Sequence, residues 1–542
     1  MQGLMQDRQL LVSSILEFAA QNHGAREIVS HTVEEGVHRY TYAEANRRAR
    51  TLARVLGSLG VTPGDRVASL AWNSYRHFEL WYAVSGMGAV CHTVNPRLFA
   101  EQIAYIINHA EDTLVFLDTS FVGLLKGMAD QLASVKGFVI MTDEAHMPET
   151  TLKNAQCYET LMAGQSDDFT WPQFDEKTAS SLCYTSGTTG HPKGVLYSHR
   201  STVIHTYATC MVDAIAASSA DTMLPVVPMF HANAWGVPYS APMVGAKLVF
   251  NGPLFDGPSL QAMIADEAVT CAAAVPTVWL ALLHYLQQSG QHLDSLSRVI
   301  IGGSACPRSM IEAFQNNYGV QVYHAWGMTE TSPIGTIGTL KAGLRDLPAD
   351  QQIDYQCKQG HPPFGVELRI TDDDGKELPR DGVAFGHLMI RGPWVTSGYF
   401  KGEGGEVLDE GGWFDTGDVA TIDPQGYIQI TDRSKDVIKS GGEWISSIDL
   451  ENIAVGHPAV AEAAVIGVRH PKWEERPLLI VIKRPGASLT REDMLMFFNG
   501  KIAKWWMPDD VVFVDEIPHT ATGKIQKLVL REQFKDYVLP GT

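Results

Sequence analysis

Apolar residues recur along this chain with two different periods. In "YTYAEANRRARTLARVLGSLG" (40–60), Ala45, Ala49, Leu52, Val55, Leu56 and Leu59 return every three or four positions, which predicts an amphipathic helix. Thr41 stands where an N-cap belongs, and Glu44 three residues later completes a capping box. "PGDRVASLAWN" reads as a turn into a strand, and "EQIAYIINHAEDTLVFLD" as a helix followed by a buried strand. "VTCAAAVPTVWLALLHYLQQSG" and "SRVIIGGSACPRSMIEAFQNNYG" each pass from an apolar strand through Gly or Pro into a helix. Repeated strand–turn–helix units predict an α/β fold whose mostly parallel sheets are covered by helices on both faces.

The pattern changes near Gly360. "FGVELRITDDDGKELPRDGVAFGHLMIRG" has short alternating strands and Asp-Gly turns, which predicts a small β subdomain over about 360–433. Residues 434–542 read as a separate, small α+β unit, with the boundary inside "TDRSKD". The expected organisation is a large N-terminal domain, 1–433, and a C-terminal domain, 434–542.

Composition narrows the function. The 542 residues are 45% hydrophobic and 19% charged, which is ordinary globular usage. A formal net charge of −19 argues against nucleic-acid binding by broad phosphate neutralisation. It leaves room for a phosphorylated small molecule held by a local cluster of N–H groups and Lys. Seven Cys, at 91, 157, 183, 210, 271, 306 and 357, form no Cys-x-x-Cys pair. An odd, scattered set predicts neither a disulfide framework nor a zinc–thiolate site and fits a reducing cytoplasm. The N-terminal "MQGLMQDRQLLVSSILEFAAQ" reads as an amphipathic helix, not a signal peptide. No run of eighteen apolar residues predicts a membrane span.

The stretch "YTSGTTGHPKG" (184–194) is the first chemical signal. It fails the Walker A pattern, because Gly187, Gly190, Lys193 and Gly194 give G-x-x-G-x-x-K-G. Its ingredients still suit phosphate: glycines let backbone N–H groups converge, Thr185, Ser186, Thr188 and Thr189 add hydroxyls, and Lys193 adds charge. It follows a strand, "ASSLCY", and precedes "VLYSHRSTVIHTYATCMV", which is expected to be a helix, giving the strand–loop–helix setting in which phosphates bind. The alternative is a plain polar loop.

The full string resembles the phosphate-loop signature of the adenylate-forming superfamily of acyl-CoA synthetases, luciferases and peptide-synthetase adenylation domains. "AWGMTE" (325–330), "GWFDTGDVA" (412–420), "DRSKDVIKSGGEWIS" (432–446) and "TATGKIQK" (520–527) resemble its other signatures, in order, so the likeness covers nearly the whole chain. "LPVVPMFHANAWGVPY" and "KSGGEWISS" are most similar to medium- and long-chain fatty acyl-CoA synthetases, with a methylthiopropionate-CoA ligase branch very close.

The resemblance implies a role for each motif. It implies nucleotide contacts at Thr185, Ser186, Gly187, Thr188, Thr189, Gly190 and Lys193, at Gly302, Gly303 and Ser304, and at His324, Ala325, Trp326, Gly327 and Thr329. An aromatic at the Trp326 turn can stack on adenine, and Glu330 is a hard oxygen ligand for Mg²⁺, with Thr185 as a further metal contact. Alone, Trp326 would pass for a core aromatic and Glu330 for a solvated carboxylate. Asp418 suits ribose hydroxyls, although an isolated Asp in a turn is more often a cap, and Arg433 can reach ribose or phosphate. His231, Ala232 and Trp235 fall at the carboxylate and acyl entrance, with Trp235 in the place of a tunnel gate; Trp is also simply a good core residue.

Lys524 is the catalytic candidate that the likeness implies for charge building on the α-phosphate. Lys435 falls at the hinge, where the superfamily more often has Asp, and Gly441 and Gly442 supply backbone freedom. The implied rotation of the mobile C-terminal domain brings Lys524 to the site in one orientation and the loop around Lys439 and Trp444 in the other. The expectation is an ATP- and Mg²⁺-dependent ligase joining a fatty acid, medium-chain first, to CoA through an acyl-adenylate. 3-Methylthiopropionate is the competing acid, and the likeness also suggests a homodimer. Two readings of other classes remain: adenylation with an acceptor other than CoA, and a non-catalytic nucleotide binder.

Overall fold

Thr41 does cap its helix: the Thr41 hydroxyl accepts from the Glu44 N–H, the Glu44 carboxylate accepts from the Thr41 N–H at 2.8 Å, and the helix runs Tyr42–Ser58. The structure, a computed structural model, describes every residue except Gln2, Glu35, 186–190, Lys435, Gly442, 520–524 and 541–542, and describes no side chain at Glu443 or Trp444.

Two large, mostly parallel sheets carry the N-terminal part. The seven-stranded sheet centres on Arg66–Leu70, Val90–Thr93 and Ala179–Tyr184, and the eight-stranded sheet on Thr222–Pro225, Cys271–Ala274 and Arg298–Ile301. Antiparallel partners close the edges at Gly194–Ser198, Val37–Thr41 and Ile334–Ile337. The helix Tyr75–Gly86 is buried along its whole length. One core cluster joins it to Val67, Cys91 and Leu114 of one sheet and to Ile28, Leu248 and Ile300 of the other. Buried on every side, these strands read as continuous apolar runs, as doubly covered sheets must.

A four-stranded antiparallel sheet follows, made of Glu367–Thr371, Phe385–Arg391, Phe414–Ile422 and Ile428–Arg433. The last sheet is five-stranded and α+β: Val460–His470 and Glu474–Lys483 form its long hairpin, and the helices Ser447–Val455 and Arg491–Phe497 pack on its core. The two smaller sheets meet close to the expected hinge. Ser446 Oγ donates to the Thr431 carbonyl at 2.7 Å, the Ser447 N–H donates to Asp432 Oδ2 at 3.2 Å, and buried Lys527 lies 2.9 Å from Glu451 and 3.9 Å from Asp432. No helix of the described residues is long and apolar enough to cross a membrane.

Three local expectations are corrected. After the phosphate loop the chain does not enter a helix at once: Gly194–Ser198 is a strand paired antiparallel to Ala179–Tyr184. Buried Val195 and Tyr197 alternate with exposed Leu196, a period of two. The helix starts only at His199, after Ser198 accepts the Ser201 N–H as N-cap. The loop is therefore a hairpin connection, and the helix-terminus argument for phosphate binding does not apply to it. Trp326 is not in a turn, because the strand Gln321–Gly327 continues through it and pairs Trp326 with Thr336. Asp418 likewise sits in a strand, Phe414–Ile422, opposite Arg433.

Candidate functional site

The chemistry gathers where the phosphate loop, the strand Gln321–Gly327 and the four-stranded sheet come together. Thr185 and Lys193 close the loop's neck: the Thr185 N–H donates to the Lys193 carbonyl at 2.9 Å, and the Lys193 N–H donates to Thr185 Oγ1 at 3.1 Å. The loop's apex, with Ser186, Gly187, Thr188, Thr189 and Gly190, lies outside the described residues.

Asp418, expected at the ribose, is only 4% exposed and is held from both directions. Trp326 Nε1 donates to its Oδ2 at 2.9 Å, and Arg433 Nε lies 3.0 Å from its Oδ1. The Trp326 ring packs against Gly335. Three residues given separate roles by sequence thus form one hydrogen-bonded unit. Asp418→Asn keeps an acceptor for Trp326 but loses the charge opposite Arg433. A charged hydrogen bond contributes about 1.5–3 kcal/mol, so KM for ATP is expected to rise about tenfold or more, measured by initial rates. An unchanged KM would remove Asp418 from the nucleotide site.

Gly302 is glycine because a Cβ there would meet the Ala325 carbonyl at 3.0 Å and the Trp235 ring at 3.2 Å. Gly303 takes a positive φ of 84°, and Ser304 follows in the loop. His324 is different. Its buried ring accepts the Cys306 N–H at Nε2, 3.2 Å, and faces the Cys357 carbonyl through Nδ1 at 3.0 Å. Burial pushes its pKa down to about 4, so it is a neutral Nδ1–H imidazole. The imidazole braces the strand's neighbours, and any nucleotide contact at this position must come from the backbone.

Glu330 is buried at 6% exposure. Its backbone carbonyl accepts the Thr396 N–H at 2.8 Å, and Tyr399 Oη donates to its Oε1 at 2.7 Å. The Tyr399 ring also lies under Lys193, with Nζ 4.8 Å from the centroid. Tyr197 Oη donates to the carbonyl of buried Thr329 at 2.6 Å. These two tyrosines tie the 325–330 motif to the phosphate loop. Among the described residues, no Lys or Arg pairs with Glu330, and no three His, Cys, Asp or Glu groups converge as a metal cage. One buried carboxylate without a counter-cation fits Mg²⁺, which is held by one or two carboxylates and substrate phosphates. Thr185 Oγ1 already accepts from Lys193.

The residues expected at the acyl entrance lie beside the same loop. A small cavity of about 10 Å³ is lined by Thr93, Asn95, Leu98, Ile106, Tyr184, Thr185, Phe230 and His231. Four non-glycine residues then follow in left-handed conformation, Ala232, Asn233, Ala234 and Trp235, with φ of 41°, 55°, 47° and 54°. Left-handed backbone costs roughly 1–2 kcal/mol per L-residue, so neighbours must hold it. Buried Asn233 does so: Nδ2 donates to Ser181 Oγ at 3.1 Å, and Oδ1 accepts from Cys183 Sγ at 3.4 Å. The turn leaves Trp235 buried against Gly302.

One described residue of the predicted set is not brought to this centre. Lys439 is exposed on the strand Ile438–Ser440, where its N–H donates to Glu475 Oε2 at 3.1 Å. Lys435, Lys524 and the Trp444 side chain lie outside the described residues. Sequence reading missed Tyr399, Tyr197 and Asn233. Tyr197 was hidden by the helix expectation, while Tyr399 and Asn233 carry no local signal.

Comparison with known proteins gives a consistent answer. The family model "AMP-binding enzyme" matches residues 16–400, and that for the AMP-binding enzyme C-terminal domain matches 449–524. The chain is similar to a 3-methylmercaptopropionyl-CoA ligase of Ruegeria lacuscaerulensis, at 53% identity over 99% of each chain. It is similar to a medium-chain-fatty-acid–CoA ligase of Ectopseudomonas oleovorans, at 52% identity over 99% of this chain and 98% of that one. In fold it matches an anthranilate CoA ligase solved with anthranoyl-AMP, with a TM-score of 0.85 at 24% identity over 96% of each chain.

Proposed function

This chain belongs to the AMP-binding enzyme family and is an adenylate-forming acyl-CoA ligase, and we propose that it works on medium-chain fatty acids with Mg²⁺-bound ATP. The observation that carries the site assignment is the cavity with Thr185 of the phosphate loop and His231 of the acyl entrance in one wall. A carboxylate entering past His231 meets the α-phosphate there. One carboxylate oxygen forms the new P–O bond and pyrophosphate leaves; the CoA sulfur then bonds to the acyl carbon and AMP leaves. No side chain need become covalently attached, so catalysis is placement and charge stabilisation.

The likeness to the medium-chain-fatty-acid–CoA ligase of Ectopseudomonas oleovorans supports an acid with a hydrocarbon tail. 3-Methylthiopropionate is the second reading, favoured by the Ruegeria relative. When bound, Mg²⁺ would supply charge neutralisation at the phosphates; Glu330 would hold it, and Thr185 is the further contact that the family likeness implies. A cytoplasmic homodimer assembled through the N-terminal domain completes the proposal, as does a division at 433/434 with a mobile C-terminal domain.

Purified protein with ATP, Mg²⁺ and CoA, given octanoate, palmitate and 3-methylthiopropionate in competition, is expected to release AMP and pyrophosphate, with octanoate preferred. Preference for 3-methylthiopropionate would replace the medium-chain assignment. AMP release that continues at full rate without CoA would point to another acceptor, and none with any acid would leave a nucleotide binder.

A further inference from the structure

A cluster outside the motifs grips both ends of the phosphate loop. Tyr105 and His109 lie one turn apart on the helix Ala100–Ala110 and so share a face. The Tyr105 ring stacks on His191 with centroids 4.4 Å apart and on His109 at 5.5 Å. His109 Nδ1 is 2.7 Å from Tyr184 Oη. One helix face therefore touches Tyr184, just before Thr185, and His191, two residues before Lys193.

Glu403 locks that face from the other side. Tyr105 Oη donates to Glu403 Oε1 at 3.0 Å, and the same oxygen is 3.6 Å from His109 Nε2. Glu403 Oε2 is buried with no hydrogen-bond partner among the described residues, while the side chain as a whole is 26% exposed, so its Oε1 contacts with Tyr105 and His109 fix its orientation. Glu403 belongs to the segment that places Tyr399 under Lys193 and leaves room for its ammonium at Gly404, where a Cβ would stand 3.1 Å from Nζ.

We propose that Tyr105, His109 and Glu403 are positioning residues for adenylate formation. They hold the Tyr184–Thr185 and His191–Lys193 ends of the loop at a fixed separation, so that Thr185 and Lys193 are in place when ATP arrives. This rests on the reading of 184–194 as the ATP phosphate loop.

The test is steady-state kinetics of the whole enzyme with ATP, acid and CoA varied in turn. Tyr105→Phe keeps the stack and removes the bond to Glu403; its KM for ATP is expected to rise about three- to thirtyfold, with KM for acid and CoA unchanged. Tyr105→Leu, which also removes the stack, is expected to do more. The double variant Tyr105→Phe/Glu403→Gln should be no worse than the worse single variant, because the two act through one contact. Lys193→Ala runs beside them. If Lys193→Ala raises KM for ATP and isosteric Tyr105→Phe does not, the positioning role falls and the phosphate loop stands. A parallel rise of all three KM values means a merely structural role and overturns the proposal. If Lys193→Ala leaves KM for ATP unchanged, the phosphate-loop reading fails and the proposal with it.

Discussion

Lys524→Ala is expected to lower the rate of adenylate formation by about 10²–10³-fold, the usual cost of losing one preorganised charge at a developing oxyanion. ATP affinity should stay near the wild-type value, because the loop neck at Thr185 and Lys193 and the Asp418–Trp326–Arg433 unit keep their own contacts in this variant. Synthetic acyl-adenylate should still be converted to acyl-CoA, since the implied domain rotation brings Lys524 to the site only for adenylate formation. The measurements are acid-dependent pyrophosphate exchange, ATP binding by calorimetry, and CoA consumption from the adenylate. Wild-type exchange would remove Lys524 from catalysis. Loss of ATP binding would make it a binding residue instead.

Glu330→Gln is the second large effect. Gln keeps a carbonyl oxygen for the Tyr399 hydroxyl and the backbone contact from Thr396, so the local packing is preserved. The negative charge is what disappears. A divalent ion at the phosphates contributes several kcal/mol of charge stabilisation, so kcat/KM is expected to fall on the order of 10²-fold. The Mg²⁺ concentration for half-maximal activity should rise with it. An unchanged Mg²⁺ dependence would move the metal ligand away from Glu330. Tyr399→Phe, which leaves the carboxylate in place, is expected to cost less than Glu330→Gln.

Much of the architecture was legible because it is local. The Thr41–Glu44 box needs only four residues, and the strand and helix in "VTCAAAVPTVWLALLHYLQQSG" appear as Cys271–Ala274 and Pro276–Ser289. Misreadings arose where a local pattern had a non-local answer. Val195 and Tyr197 sit in a segment that also suits a helix, and pairing with Ala179–Tyr184 decided for a strand. Trp326 follows a short strand and reads as the start of a turn, and pairing with Ile334–Ile337 carried the strand through it.

The candidate site divides in the same way. The phosphate loop, the 325–330 motif, Asp418 and Lys524 are contiguous words in the sequence, and side-chain type together with the family likeness implied their roles: hydroxyls and glycines for phosphate, a hard carboxylate for a divalent ion, an ammonium for a developing charge. The motifs and the α/β class were legible without coordinates. Tertiary structure alone decided that Asp418 is clasped by Trp326 and Arg433, that Tyr399 serves Glu330 and Lys193 together, and that His324 spends its ring on bracing Cys306 and Cys357. It alone decided the left-handed turn 232–235, which Asn233 holds through residues some fifty positions earlier, Ser181 and Cys183. The reason is physical. Residue type sets which interactions a side chain can make, whereas burial and the partners brought in from distant segments set which of them it does make.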